Sequence, residues 1–206
     1  MIEVERERRR WNMGVYLNPG NEKFAKAVQS EIYVDKTGLI EYTNQVINTV
    51  QRYVCVSRPR RFGKSMAANM LAAYYSKGCD SEKMFSELDI AKTENFALHL
   101  NKYDVIHLDI QWFLANCDNV DNVIAFITKS VQAELREIYP GVLPEEEISL
   151  SESLSRIKNI VGQKFIIIID EWDVLIRDEA ANKKVQERYI NFLRAMFKGT
   201  EPTKYI

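Results

Sequence analysis

Two short strings in this chain carry residue types that could do chemistry together. In the first, Arg58-Pro59-Arg60-Arg61-Phe62-Gly63-Lys64-Ser65, a glycine, a lysine and a hydroxyl stand in the order a phosphate-binding loop needs. A glycine lets the backbone approach a phosphate without a side chain in the way. Free N–H groups and the dipole of a following helix attract an anion. Lys64 would put a point charge on the β and γ phosphates, and the Ser65 hydroxyl would ligate Mg²⁺. The usual pattern begins with a further glycine, where this chain has Arg58. The tripeptide alone is also compatible with an ordinary helix start.

The second string removes most of that ambiguity. Phe165-Ile166-Ile167-Ile168-Ile169 is an apolar run that reads as a strand buried on both faces. It ends in Asp170-Glu171-Trp172-Asp173, and open α/β sheets place ligands at the C-terminal ends of their strands. Asp170 suits a Walker B carboxylate that holds Mg²⁺ directly or through its water. Glu171 points the other way and would polarise a water against the γ-phosphate. Taken alone, the acids could be a solvated strand end. Both motifs in this order, about 100 residues apart, favour nucleotide binding and Mg²⁺-dependent hydrolysis.

Several elements must position these groups. Val54, Cys55 and Val56 predict a buried strand that delivers the loop to a helix running from Gly63-Lys64-Ser65 to about Tyr75. Asn18-Pro19-Gly20-Asn21 is a turn signal, 22–29 reads as a short helix, and Thr37 is placed to cap a helix over 39–49. Asp104 to Gln111 predicts another strand. Helical spacing of apolar residues marks 120–139, 151–161 (Leu154, Ile157, Ile160 and Val161 on one side) and 179–198. The alternation of strands and helices predicts an α/β fold, a three-layer α/β/α sandwich on a parallel sheet. Residues 1–50 are expected to form a helical lead-in and 51–206 the nucleotide-binding core. Tyr205-Ile206 resembles the start of a further strand, so the core is expected to continue past the chain end.

Composition narrows the classes. The chain has 206 residues, 46% apolar and 28% charged, which suits one sizeable globular domain. A net charge of −1 gives no general case for nucleic-acid binding. The basic cluster Arg6, Arg8, Arg9 and Arg10 is interleaved with Glu3, Glu5 and Glu7, as in a solvated terminal segment. Cys55, Cys79 and Cys117 show no metal-ligand or disulfide spacing, and Cys55 is expected to lie buried in the strand before the loop. No apolar run approaches a bilayer span and no signal peptide is evident, so the expected location is the cytoplasm, away from membranes.

Five strings together resemble the prokaryotic AAA-ATPase-like family: Asn18 to Asn21, Tyr33-Val34-Asp35-Lys36-Thr37-Gly38-Leu39-Ile40, Ser57 to Ser65, Ile169 to Asp173, and Phe197 to Glu201. The resemblance implies a P-loop ATPase of the additive-strand type, often fused to a C-terminal restriction-endonuclease-like nuclease domain. Arg58 in place of glycine then reads as a family trait, whereas Trp172 departs from the usual Tyr. ATP, rather than another nucleotide, is implied by the resemblance only. Nucleic acid would be reached only through domains beyond Ile206, and a homo-oligomer is a further expected assembly.

The residues expected to bind the nucleotide are Arg58, Pro59, Arg60, Arg61, Phe62, Gly63, Lys64, Ser65 and Met66. Ser65 and Asp170 are expected to hold Mg²⁺, with Lys64 and Glu171 catalytic. Arg60 and Arg61 would fold over the phosphate charge or stay solvated. Asp173 would orient water or an arginine, or cap a helix. Asp35, Lys36 and Thr37 pack near the adenine if the resemblance decides, and form a plain helix start if local chemistry does. Asp109, at the ligand-side end of its strand, is read as structural ahead of a contact to Mg²⁺-bound water; His99 and His107 are read as structural, and Tyr74, Tyr75, Trp112 and Phe113 as core or contact residues. The competing function is a nucleotide-gated module whose occupancy, not turnover, controls a partner or a nuclease-like domain.

Overall fold

The computed structural model describes residues 13–57, 62–177, 182–200 and 202–206. They fall into two compact units, divided between Val105 and Ile106.

The first unit holds helices α1 (Glu22–Val28), α2 (Gly38–Val46), α3 (Lys64–Tyr75), α4 (Glu82–Phe85) and α5 (Phe96–His99). The sequence of α3 explains its central place. Ala68, Ala72 and Ala73 are buried and let neighbours approach closely, while Met70, Tyr74 and Tyr75 fill the space between. Phe24 of α1 stacks on Phe85 at 5.2 Å, and Tyr74 meets Phe85 edge-on at 5.4 Å. The two tyrosine hydroxyls are satisfied inside this core, as buried phenols must be. Tyr75 donates to Asn44 Oδ1 at 2.7 Å, and Asn44 Nδ2 donates to Tyr74 Oη at 3.1 Å.

Asn101 and Asn18 tie the ends of this unit together. Helix α3 leaves carbonyls without intrahelical partners at its C-terminus. The Asn101 amide donates to Ala73, Tyr74 and Ser76 carbonyls at 3.0, 3.2 and 2.9 Å. The fully buried Asn18, in a left-handed conformation (φ 53°), donates to Asp104 Oδ1 at 2.7 Å and accepts from the Val105 N–H at 2.9 Å. Lys77 supplies the counter-charge to the buried Asp104 at 2.6 Å. The turn signal at 18–21 is therefore also a long-range anchor.

Strands β1 (Asp104–Asp109) and β2 (Phe165–Asp170) form a parallel two-stranded sheet. The second unit adds α6 (Ile110–Ala115), α7 (Val123–Ile138), α8 (Leu150–Val161), α9 (Val174–Arg177), α10 (Lys183–Phe197) and α11 (Pro202–Tyr205). The amphipathic pattern of α7 is realised with Val123, Ile127, Val131 and Leu135 fully buried. Side-chain oxygens cap three of these helices. Asp109 caps α6 by accepting from the Trp112 N–H, Ser149 caps α8 through Glu152 N–H, and Asn182 caps α10 through Val185 N–H.

Four expectations are corrected. Residues 52–57 form no strand: Val54 and Val56 are 38% and 39% exposed and Cys55 is exposed, not buried. Strand propensity is insufficient without a neighbour to complete the ladder. β2 is not buried on both faces, because in a two-stranded sheet Ile166 to Ile169 keep intermediate exposure. On α8, Ile160 and Val161 are exposed, so the apolar face is used only as far as Ile157. Tyr205 starts no strand. It lies fully buried in α11 and donates to the Met196 carbonyl at 3.2 Å, closing the end of α10.

Candidate functional site: the phosphate loop and the acidic strand end

Of the expected loop, Arg58, Pro59, Arg60 and Arg61 lie outside the described residues. The described part begins at Phe62, which is exposed, and passes through Gly63 at φ 79° into α3 at Lys64. This left-handed conformation is nearly free for glycine and strained for any other residue but Asn or Asp. Gly63 also accepts the first intrahelical bond, from Ala67 at 3.0 Å. The N–H groups of Lys64, Ser65 and Met66 thus form the first turn of a twelve-residue helix, where an anion is favoured. The Ser65 side chain is exposed, while Lys64 and Met66 are half-buried.

Residues 33–37 meet this loop. Asp35 Oδ1 accepts from the Thr37 N–H and Oδ2 from the Asp89 N–H, both at 2.8 Å. Partial burial opposes the Asp35 charge, but the hydrogen bonds from Asp89 and Thr37 outweigh it and hold the carboxyl below its ordinary value. The buried Thr37 hydroxyl accepts from the Ile90 N–H at 3.1 Å, and its carbonyl starts α2 by accepting from Ile40 at 2.8 Å. The Lys36 ammonium reaches Phe62, donating to its carbonyl at 3.4 Å. The string is thus a helix start, and it also adjoins the Phe62-Gly63 segment that leads into α3.

The acidic strand end belongs to the second unit. Asp170 Oδ1 accepts from the Glu171 N–H at 3.0 Å. Glu171 has a φ of 49°. That left-handed conformation is one that non-glycine residues rarely hold and that clusters at functional sites. Its carboxylate accepts from Arg177 Nη2 at 3.2 Å. Arg177 also makes a two-pronged pair with Asp173, at 2.8 and 3.0 Å. Those charge-assisted bonds raise the guanidinium above its ordinary value. Asp173 therefore engages an arginine, one of its expected uses. Tyr189 of α10 donates to the Trp172 carbonyl at 2.7 Å and steadies the segment after the strand.

Other candidates resolve as structural. Asp109 is a helix cap, His99 shares a 2.6 Å hydrogen bond with Tyr103, and burial lowers the His99 basicity. Tyr74, Tyr75 and Phe113 are core residues, whereas Trp112 is 43% exposed. Among the described residues no group of three or more His, Cys, Asp or Glu side chains converges as a metal centre. Nor is any helix among them long and apolar enough to cross a membrane. Arg177 is a partner of the acidic strand end that sequence reasoning does not reach. Its only signal is its i, i+4 spacing from Asp173, which is common on helices.

An α/β chain with a small parallel sheet is compatible with a P-loop-like domain. Residues 20–206 match the model of the AAA-ATPase-like family, described as predicted AAA-ATPase, and the chain belongs to that family. No curated protein and no solved structure matched the chain.

Proposed function

We propose that this chain binds ATP at the 58–66 loop and hydrolyses it with Mg²⁺. The observation that carries the reading is the left-handed Gly63 opening a twelve-residue helix at Lys64-Ser65, in a chain of a predicted AAA-ATPase family. In this reading the first-turn N–H groups cradle the phosphates and Lys64 neutralises charge that develops on them. Ser65 and Asp170 are the oxygen donors suited to Mg²⁺, a hard cation that prefers few protein oxygens. Mg²⁺ would supply charge neutralisation on the phosphate oxygens. Glu171 orients and deprotonates the attacking water.

The decisive experiment is nucleotide titration of the chain against its Lys64→Ala variant. Loss of ATP binding in the variant is expected, and undiminished affinity overturns the reading.

A second reading has its own support. One oxygen of the Glu171 carboxylate, Oε2, accepts from Arg177 at 3.2 Å. That favours a nucleotide-gated module in which ATP occupancy controls a partner and turnover is slow. A phosphate-release assay separates the two: stoichiometric ATP binding with no release under saturating Mg²⁺ favours the gated module.

A further inference from the structure

Lys36 is a cation delivered to the phosphate loop from a distant part of the chain, 26 residues before Phe62. Its backbone is pinned on both sides. Asp35 commits both carboxylate oxygens to the N–H groups of Thr37 and Asp89, and Thr37 is buried with its hydroxyl on the Ile90 N–H. The turn that carries Lys36 is therefore fixed to the 89–90 segment, and only the lysine arm extends to the loop. Its ammonium lies at the Phe62 carbonyl, and a Cβ added to Gly63 would sit only 3.0 Å from that nitrogen.

This is a poor arrangement for a purely structural contact. At 3.4 Å the bond to Phe62 is long, and an ammonium carries three donors, of which this uses one. Asp35, the adjacent acid, is committed to backbone groups. Among the described residues the Lys36 ammonium pairs with no carboxylate. An exposed positive charge thus lies against Gly63, whose left-handed backbone opens an anion-favouring helix end.

We infer that Lys36 is a second phosphate-binding cation of this site, which holds the polyphosphate chain against Gly63 beside Lys64. The inference rests on the nucleotide reading above. It replaces an adenine-side role for residues 35–37 with a phosphate-side one for Lys36, and gives Asp35 and Thr37 the task of positioning it. The four-carbon stem suits this role, because a point charge on a flexible arm can follow an anion without a fixed fork geometry.

The test compares the whole chain with Lys36→Met, Lys36→Arg and Lys64→Ala, titrated with ATP and with inorganic tripolyphosphate. Thermal unfolding without ligand is measured in parallel. Lys36→Met should weaken both ligands about tenfold, the scale of one charge-assisted hydrogen bond. Lys36→Arg should recover affinity to within about threefold, since charge rather than shape is needed. Unfolding of the ligand-free Lys36→Met protein should stay within about 2 °C of the unaltered chain.

Three results overturn the inference alone, provided Lys64→Ala has lost ATP binding. These are unchanged affinities in Lys36→Met, weakened ATP with unchanged tripolyphosphate, or lost affinity matched by a ligand-free fall in melting temperature that Lys36→Arg does not repair. ATP affinity undiminished in both Lys64→Ala and Lys36→Met overturns the nucleotide reading, and this inference with it.

Discussion

The Glu171 carboxylate accepts a 3.2 Å hydrogen bond from Arg177 while the Glu171 backbone sits at a φ of 49°. A side chain of the acidic strand end is thus held by a cation from the following helix, on a backbone conformation that costs free energy. Such a conformation persists only where surrounding structure over-determines it, here through Tyr189 on the Trp172 carbonyl and Arg177 on Asp173.

Glutamate at this position should therefore be no better for stability than glycine. Relief of left-handed strain is worth about 1 kcal/mol, partly offset by the extra freedom of a glycine in the unfolded chain. Glu171→Gly should unfold at the same temperature as the unaltered chain or slightly higher, and lose phosphate release. A melting temperature several degrees lower would assign Glu171 to the fold and not to chemistry. Glu171→Gln keeps the shape and should retain ATP binding while turnover falls by about two to four orders of magnitude, the usual range for a general base.

A side chain at Gly63 is disfavoured on two grounds. A Cβ would force a strained φ of 79° and crowd the Lys36 nitrogen at 3.0 Å. Gly63→Ala is expected to destabilise the chain by about 1 kcal/mol and to weaken ATP binding more than that loss explains. Chemical denaturation and nucleotide titration of one preparation check both. Full ATP affinity in a destabilised Gly63→Ala protein would count against the loop reading.

Asn101 satisfies three carbonyls at the end of α3. Asn101→Ala should cost about 2 kcal/mol, because it takes the side-chain donor from the Ala73 carbonyl and puts alanine at a left-handed φ of 54°, while the Tyr74 and Ser76 carbonyls keep backbone donors. The loss should appear in chemical denaturation as a lower midpoint with an unchanged slope. A change within about 0.5 kcal/mol, the range of an ordinary surface substitution, would mean that water replaces the amide at little cost.

Asp35 provides a pH signature. Its carboxyl is held below the ordinary value in the folded chain, so the folded state binds fewer protons than the unfolded one near about pH 4. The stability it contributes is present above the unfolded-state value. It fades as acidification passes that value and is lost below the folded one. Melting temperature should fall more steeply below about pH 4 in the unaltered chain than in Asp35→Asn, which has no charge to lose. Parallel acid profiles for the two proteins would remove Asp35 from the set of stabilising carboxylates.

Much of the fold is legible locally. Apolar spacing locates α7 and α10, and the apolar run ending in Asp170 locates β2. Gly63-Lys64-Ser65 locates the start of α3. These features depend on periodicity, caps and backbone preference within one or two turns, and that information sits in neighbouring residues. The segment 52–57 departs from its local preference for the opposite reason. Valine, cysteine and tyrosine there fit a strand, but a strand exists only when another segment pairs with it.

The motifs Gly63-Lys64-Ser65 and Asp170-Glu171 are set by residue order alone, and so is membership in an ATPase-like family. Tertiary structure alone decided that Lys36 meets Gly63, that Asn18 anchors Asp104, and that Arg177 holds Glu171. The first two join residues far apart in the chain, and the third depends on a left-handed turn that glutamate does not favour. Local preference cannot encode which distant groups share a few ångströms; packing and hydrogen-bond satisfaction select them when the chain closes on itself.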